Sequence, residues 1–317
     1  MIKFYLYIYR MMVVLKKSII GIAAISLLLV GCSNSEAKKD KVKMGQVMQD
    51  GHKTISYIVD GDEDNHNLTK NSKLDRYIIS ENGKITVYND TGDTKLGKIA
   101  QMNEDKLEDY IKDQDKKYFE DEKDQNIQDQ KDEYKKYKDN KESMEDAYND
   151  YKQMDSDEKK HFLHINEVSE KDMVDQIAKN NKADKYNQKQ MKKLKAKKYE
   201  APKPRDLKIK VKTDDSGNNT KEESINLGSA YFDSPGKYES DKDARKNYMA
   251  FSNVQTATDI YDKRYVGISD MEYADDNGYE DDYSYLITEG GKKSEGGILD
   301  SPKDKKVKID EEDYEDE

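Results

Sequence analysis

Apolar positions are spread unevenly along this chain. The densest run is Ile19 to Val30, Ile-Ile-Gly-Ile-Ala-Ala-Ile-Ser-Leu-Leu-Leu-Val, with no charge in it. Apolar residues then become scarce around Lys38-Lys39-Asp40-Lys41, so residues 32–50 read as a flexible tether. From Thr54 the pattern turns strand-like, with Ile55, Tyr57 and Val59 alternating with Ser56 and Ile58. Tyr77-Ile78-Ile79-Ser80 meets Ile85-Thr86-Val87-Tyr88 through Glu81-Asn82-Gly83-Lys84. Asn-Gly between apolar segments predicts a tight hairpin, because both central residues of a type I′ turn need positive φ. Residues 51–101 are therefore expected to form a small β unit, completed by a helix from about Asn103.

Residues 102–200 read as a charged helical region, with no proline or glycine between Glu104 and Tyr199. Ile127, Tyr134, Tyr137, Met144, Tyr148 and Tyr151 share the a and d positions of one heptad frame, interrupted by Gln130 and Lys141. Such a seam suits an intramolecular helical hairpin; a short dimeric coiled coil is the alternative. A turn is expected near Asp155-Ser156-Asp157, and Ser169 is placed to cap a further helix before Met173, Val174 and Ile177.

Ala201-Pro202-Lys203-Pro204 ends the helical pattern and reads as a domain boundary. Leu207, Ile209 and Val211 then alternate with lysines, ahead of the turn-forming Asp214-Asp215-Ser216-Gly217-Asn218-Asn219. Further strands are expected over 224–232, 248–254, 264–269 and 283–288, which suggests a small sandwich over 203–300. Order should fade after Pro302, leaving 301–317 as a disordered acidic tail. The expected class is α+β: two small antiparallel β-rich units separated by a long charged helical region.

Composition narrows the function. The chain is 39% charged and 34% hydrophobic, so its cores should be small. Its 56 Lys and Arg against 67 Asp and Glu give a net charge of −11 with the signs interspersed, which argues against nucleic acid as a partner. With 24 Tyr against 5 Phe and no Trp, tyrosine is the main source of aromatic contact area. The single cysteine excludes an internal disulfide.

That cysteine stands at an informative place. Lys16 and Lys17 precede the apolar run, Gly31 precedes Cys32, and polar Ser33-Asn34-Ser35 follows. The tetrad Leu29-Val30-Gly31-Cys32 resembles the lipobox of bacterial lipoproteins, a likeness confined to residues 16–33. The resemblance implies a signal peptide over 1–31, diacylglyceryl on the Cys32 thiol, cleavage between Gly31 and Cys32, and anchoring on the extracytoplasmic face of a cell membrane. Two acyl chains are enough for stable attachment. Residues 1–14 fit a signal poorly, and initiation at Leu15 would give a compact one.

Catalytic patterns are missing from the sequence: there is no Gly-x-Ser-x-Gly elbow, phosphate-binding glycine loop, dinucleotide fingerprint or His-Glu-x-x-His helix. His161, His164 and Glu167 follow one another at three-residue spacing, which on a helix would offer two imidazoles and a carboxylate to a divalent cation; surface histidines are the plainer reading. Asp60, Asp62 and Asp64 copy the first ligands of a calcium loop, but Asn65 and Asn71 stand where its glycine and glutamate belong. Asp275-Asp276-Asn277-Gly278 likewise reads as a polar loop.

The expectation is a non-enzymatic, cofactor-free, monomeric surface lipoprotein that contacts a protein or envelope component. A solute-binding lipoprotein of a transporter and an envelope chaperone or assembly factor are the alternatives.

Overall fold

The computed structural model describes residues 35–61, 67–233, 237–272 and 282–310. Helices and antiparallel-rich sheets make an α+β fold. A 3-10 turn, Glu36–Lys38, leads to β1 (Lys41–Val42) and α1 (Met44–Gln49), then to β2 (Thr54–Asp60), β3 (Leu74–Glu81) and β4 (Lys84–Asn89). Three helices follow α2 (Leu96–Ala100): α3 (Glu104–Gln153), α4 (Ser156–Ile165) and α5 (Glu170–Ala196). The rest comprises β5 (Arg205–Asp206), β6 (Ile209–Thr213), β7 (Thr220–Ile225), β8 (Tyr231–Asp233), β9 (Lys237–Glu239), α6 (Asp241–Ala244), β10 (Met249–Phe251), β11 (Asn253–Ile260), β12 (Lys263–Glu272), β13 (Asp282–Glu289), β14 (Gly296–Gly297) and β15 (Val307–Ile309).

The expected hairpin forms: β3 and β4 pair through Ser80↔Ile85 and Glu81↔Lys84, with φ +54° at Asn82 and +72° at Gly83. The two β-rich segments are not separate units, however. One nine-stranded sheet runs β1-β14-β11-β12-β13-β2-β3-β4-β5, and β13 lies antiparallel to β2 through Leu286↔Ile58 and Ile287↔Tyr57. β5 pairs with β4 immediately after Pro204, so residues 201–204 do not divide domains.

The reason is visible in the side chains. Tyr57-Ile58-Val59, Tyr77-Ile78 and Tyr285-Leu286-Ile287 are buried at successive positions, so the central strands need cover on both faces. Ile58, Ile78, Val266, Ile268 and Leu286 face a core shared with α1 and a second sheet, β10-β7-β6-β15. Tyr57, Val59, Tyr77, Tyr265, Tyr285 and Ile287 face α2 and the first turns of α3. Each of the two cores draws buried residues from both strand sets.

Two low-complexity readings are also corrected. The stretch expected as a tether is folded from Ser35 onward, and Val42, Met44, Val47 and Met48 are buried. Spacing of 44, 47 and 48 is a helical stripe, hidden in the sequence by the polar residues around it. At the other end, Val307 and Ile309 pair in parallel with Ile209 and Val211, so order continues past Pro302; residues 311–317 lie outside the described residues.

The helical region is three helices, with capping boxes at Asp155 and Ser169. At about 1.5 Å per residue, the 50 residues of α3 extend roughly 75 Å. Its seam meets α5 of the same chain, running antiparallel, with a cavity of about 470 Å³ left open beside Tyr134 and Met191: Lys123 Nζ donates to the Lys197 carbonyl at 2.7 Å, Gln188 Nε2 to Tyr134 Oη at 3.3 Å, and Lys141 lies 3.7 Å from Asp184. Farther out, Tyr151 Oη donates to Glu170 at 3.3 Å. Tyr137 is off the seam and 44% exposed, whereas Gln130 is buried.

Candidate ligand groove

The first turns of α3 bury Leu107, Ile111, Asp115 and Phe119 at four-residue spacing, an apolar stripe carrying one carboxylate. Asp115 Oδ1 accepts the Asn89 backbone N–H at 2.8 Å and the Asn89 side-chain amide at 3.3 Å, and Tyr199 Oη donates to Oδ2 at 2.8 Å. Burial pushes this carboxyl up; those three donors hold it back without cancelling the effect. The contact fixes α3 against the end of β4, the edge from which the groove is built.

Asn89 extends the network. Its Nδ2 donates to the Ala230 carbonyl at 2.9 Å, and its Oδ1 accepts Ser229 Oγ. The segment 226–230 is held from the other side by Arg205, which is 2.8 Å from Asp241 and donates to the carbonyls of Asn226 and Gly228 at 3.0 and 2.5 Å. Phe119, Tyr199, Phe232 and Tyr238 close the base as an aromatic cluster, with Phe119 and Phe232 centroids 5.3 Å apart.

Above this base lies a cavity of about 440 Å³, lined by Asp75, Arg76, Tyr118, Ser229, Asn247 and Tyr248 among others. A second, of about 230 Å³, shares Asp75 and Tyr118 and adds Asp60, Asp90, Asp121 and Glu122. Tyr118 is thus the wall between a mixed chamber and an acidic one. Burial, with Glu122 and Asp75 adding to it, pushes its phenol up to about 12, so it stays a neutral donor. Arg76 lies 3.1 Å from Asp75 and donates to the Leu227 carbonyl at 3.4 Å. Among its described residues the lining includes neither His nor Cys. What it offers is hydrogen-bonding side chains and tyrosine faces on a rigid frame, the chemistry of binding.

The residues singled out from sequence lie elsewhere. Gly31 and Cys32 fall outside the described residues, as do Asp62, Asp64, Asn65 and 275–278. His161 and His164 are exposed on α4, and Glu167 stands past its end with φ +49°, so the helical spacing that would align all three is broken. Among the described residues no group of three His, Cys, Asp or Glu is placed to hold a metal ion. The groove itself is not among the sites the sequence points to, although Asp115 within the stripe Leu107-Ile111-Phe119 is a signal of a buried polar contact.

Comparison of the chain with family models, curated proteins and solved structures gave no match.

Proposed function

We propose that this chain is an exported lipoprotein, held on the extracytoplasmic face of a membrane by lipid on Cys32, that acts by binding rather than catalysis through the groove around Tyr118. The observation that carries the anchoring is the tetrad Leu29-Val30-Gly31-Cys32 behind Lys16-Lys17 and an uncharged apolar stretch. No helix among the described residues is long and apolar enough to cross a membrane. Binding is supported by the groove lining, and a monomer by the contacts that α5 of the same chain makes along the α3 seam.

Intact-mass spectrometry on protein from host membranes, beside Cys32→Ala, tests the anchor. The expected mass begins at Cys32 and carries diacylglycerol, and the variant leaves the membrane. A full-length unlipidated chain would overturn the reading.

The cavity volume favours one second reading, a solute-binding role, because about 440 Å³ falls in the range of small-ligand pockets, roughly 300–1,000 Å³. Thermal stabilisation of the purified protein across a solute library, lost in Tyr118→Ala, would select it over a macromolecular partner.

A further inference from the structure

Strand register places a glutamate inside the sandwich. Glu223 on β7 sits opposite Val211 on β6 and Phe251 on β10, and directly paired residues point to the same face. Both neighbours are buried apolar residues, and Glu223 itself is 0% exposed. Beside it lies Asp300, also 0% exposed, whose backbone N–H donates to Glu223 Oε2 at 2.7 Å. Gln46 Nε2, from α1, donates to Asp300 Oδ1 at 2.6 Å. One oxygen of each carboxyl, Glu223 Oε1 and Asp300 Oδ2, has no hydrogen-bond partner.

Charges around the pair do not neutralise it. From α1's side the cation is Lys43, which is 2.5 Å from Asp304 Oδ2. Asp304 adds a further negative charge and also accepts the Ser301 N–H at 2.6 Å. β6 and β10 present apolar side chains, Val211 and Phe251 directly opposite Glu223 with Ile209 and Met249 on the same faces. Lys43 also pulls Asp300 down, but less than burial pushes it up, and Lys43 is shared with Asp304. Two ionised carboxylates buried side by side are then strongly disfavoured, whereas one proton turns an acceptor oxygen into a donor for its neighbour.

We propose that Glu223 and Asp300 share a single proton, and that this proton latches α1, with the segment from Ser35 that leads into it, onto the second sheet. The geometry makes α1 the moving part. It touches the pair through Gln46, and Gly45 is so close that a Cβ there would fall on Asp300 Oδ2 and the Ile209 side chain. The latch does not depend on the lipid reading; if Cys32 is lipidated, the join it grips is that between anchor and body.

Burial first, and the neighbouring carboxyl second for Glu223, raise both groups above the ordinary carboxylate range. The closed state therefore holds a proton that the opened segment releases. Opening is rarest in acid and grows about tenfold per pH unit from the ordinary carboxylate range up to the pair's own titration, then levels off.

Hydrogen exchange of the full chain between pH 5 and 8 tests this, comparing amides of α1 with amides of β12 to remove the base catalysis common to all amides. In the wild type the α1-to-β12 exchange ratio is expected to rise about tenfold per pH unit through part of this window. Glu223→Gln donates permanently through its amide and should flatten the ratio, and Asp300→Asn should do the same. A flat wild-type ratio, or an unchanged slope in a folded variant, would overturn the latch. Carboxyl ¹³C titration of the wild type gives an independent reading. One carboxyl of the pair still protonated above pH 6 supports the shared proton, and both ionised by pH 5 removes it.

Discussion

Asp115 on α3 accepts the backbone N–H of Asn89 at the end of β4, 2.8 Å away, and this one contact sets where the long helix meets the sheet. Removing the carboxylate leaves the Asn89 N–H and the Tyr199 hydroxyl unpaired in a buried site. Asp115→Ala should therefore cost about 1–3 kcal/mol in urea unfolding, and Asp115→Asn less, since its carbonyl keeps one acceptor. Equal stability of Asp115→Ala and wild type would show that the contact positions nothing.

Lys43 and Asp304 give the corner beside α1 an acid limb of stability. Burial pushes the Asp304 carboxyl up, but Lys43 and the Ser301 N–H outweigh it and hold the group below its ordinary value. A lowered folded pKa contributes stability that is present above the unfolded value and lost as pH falls. Stability should drop below about pH 4, where an unfolded aspartate takes up its proton. Asp304→Asn should flatten this limb, opposite in sign to the effect of the Glu223–Asp300 pair.

Leu194 joins the base of the helical hairpin to Phe119 and Phe232 and is buried. Leu194→Ala is expected to cost about 2–5 kcal/mol locally. Limited trypsin digestion should then cut within α5 well before the sheet, because Met173 is the one other buried side chain of α5 and the rest of its contact with α3 includes polar pairs such as Lys141–Asp184. Unchanged cleavage would mean that the outer seam holds the hairpin alone.

Gly83 has φ +72° in the β3–β4 turn. An L side chain is strained there, so Gly83→Ala should lower the thermal midpoint, with a cost on the order of 1 kcal/mol. Asn82→Gly should leave it nearly unchanged, since glycine adopts the +54° φ of that position freely.

Local chemistry in the sequence determined the local structure. Asn82-Gly83 specified its turn, Ser169 its helix cap, and the run without proline or glycine its helices, because each depends on neighbours a few residues away. The tetrad Leu29-Val30-Gly31-Cys32, on which the proposed anchor rests, is a feature of the chain alone. Tertiary structure decided the rest. That β2 lies against β13, β1 against β14 and β15 against β6 follows from which apolar faces are left uncovered once every strand has formed. The same holds for the groove and the buried pair: Glu223 looks like an ordinary surface charge, and Asp115 differs from one only by its place in an apolar stripe, until packing removes the water around them. Burial is a property of the whole assembly, and it is burial that turns these two carboxylates from solvated charges into fixed contacts.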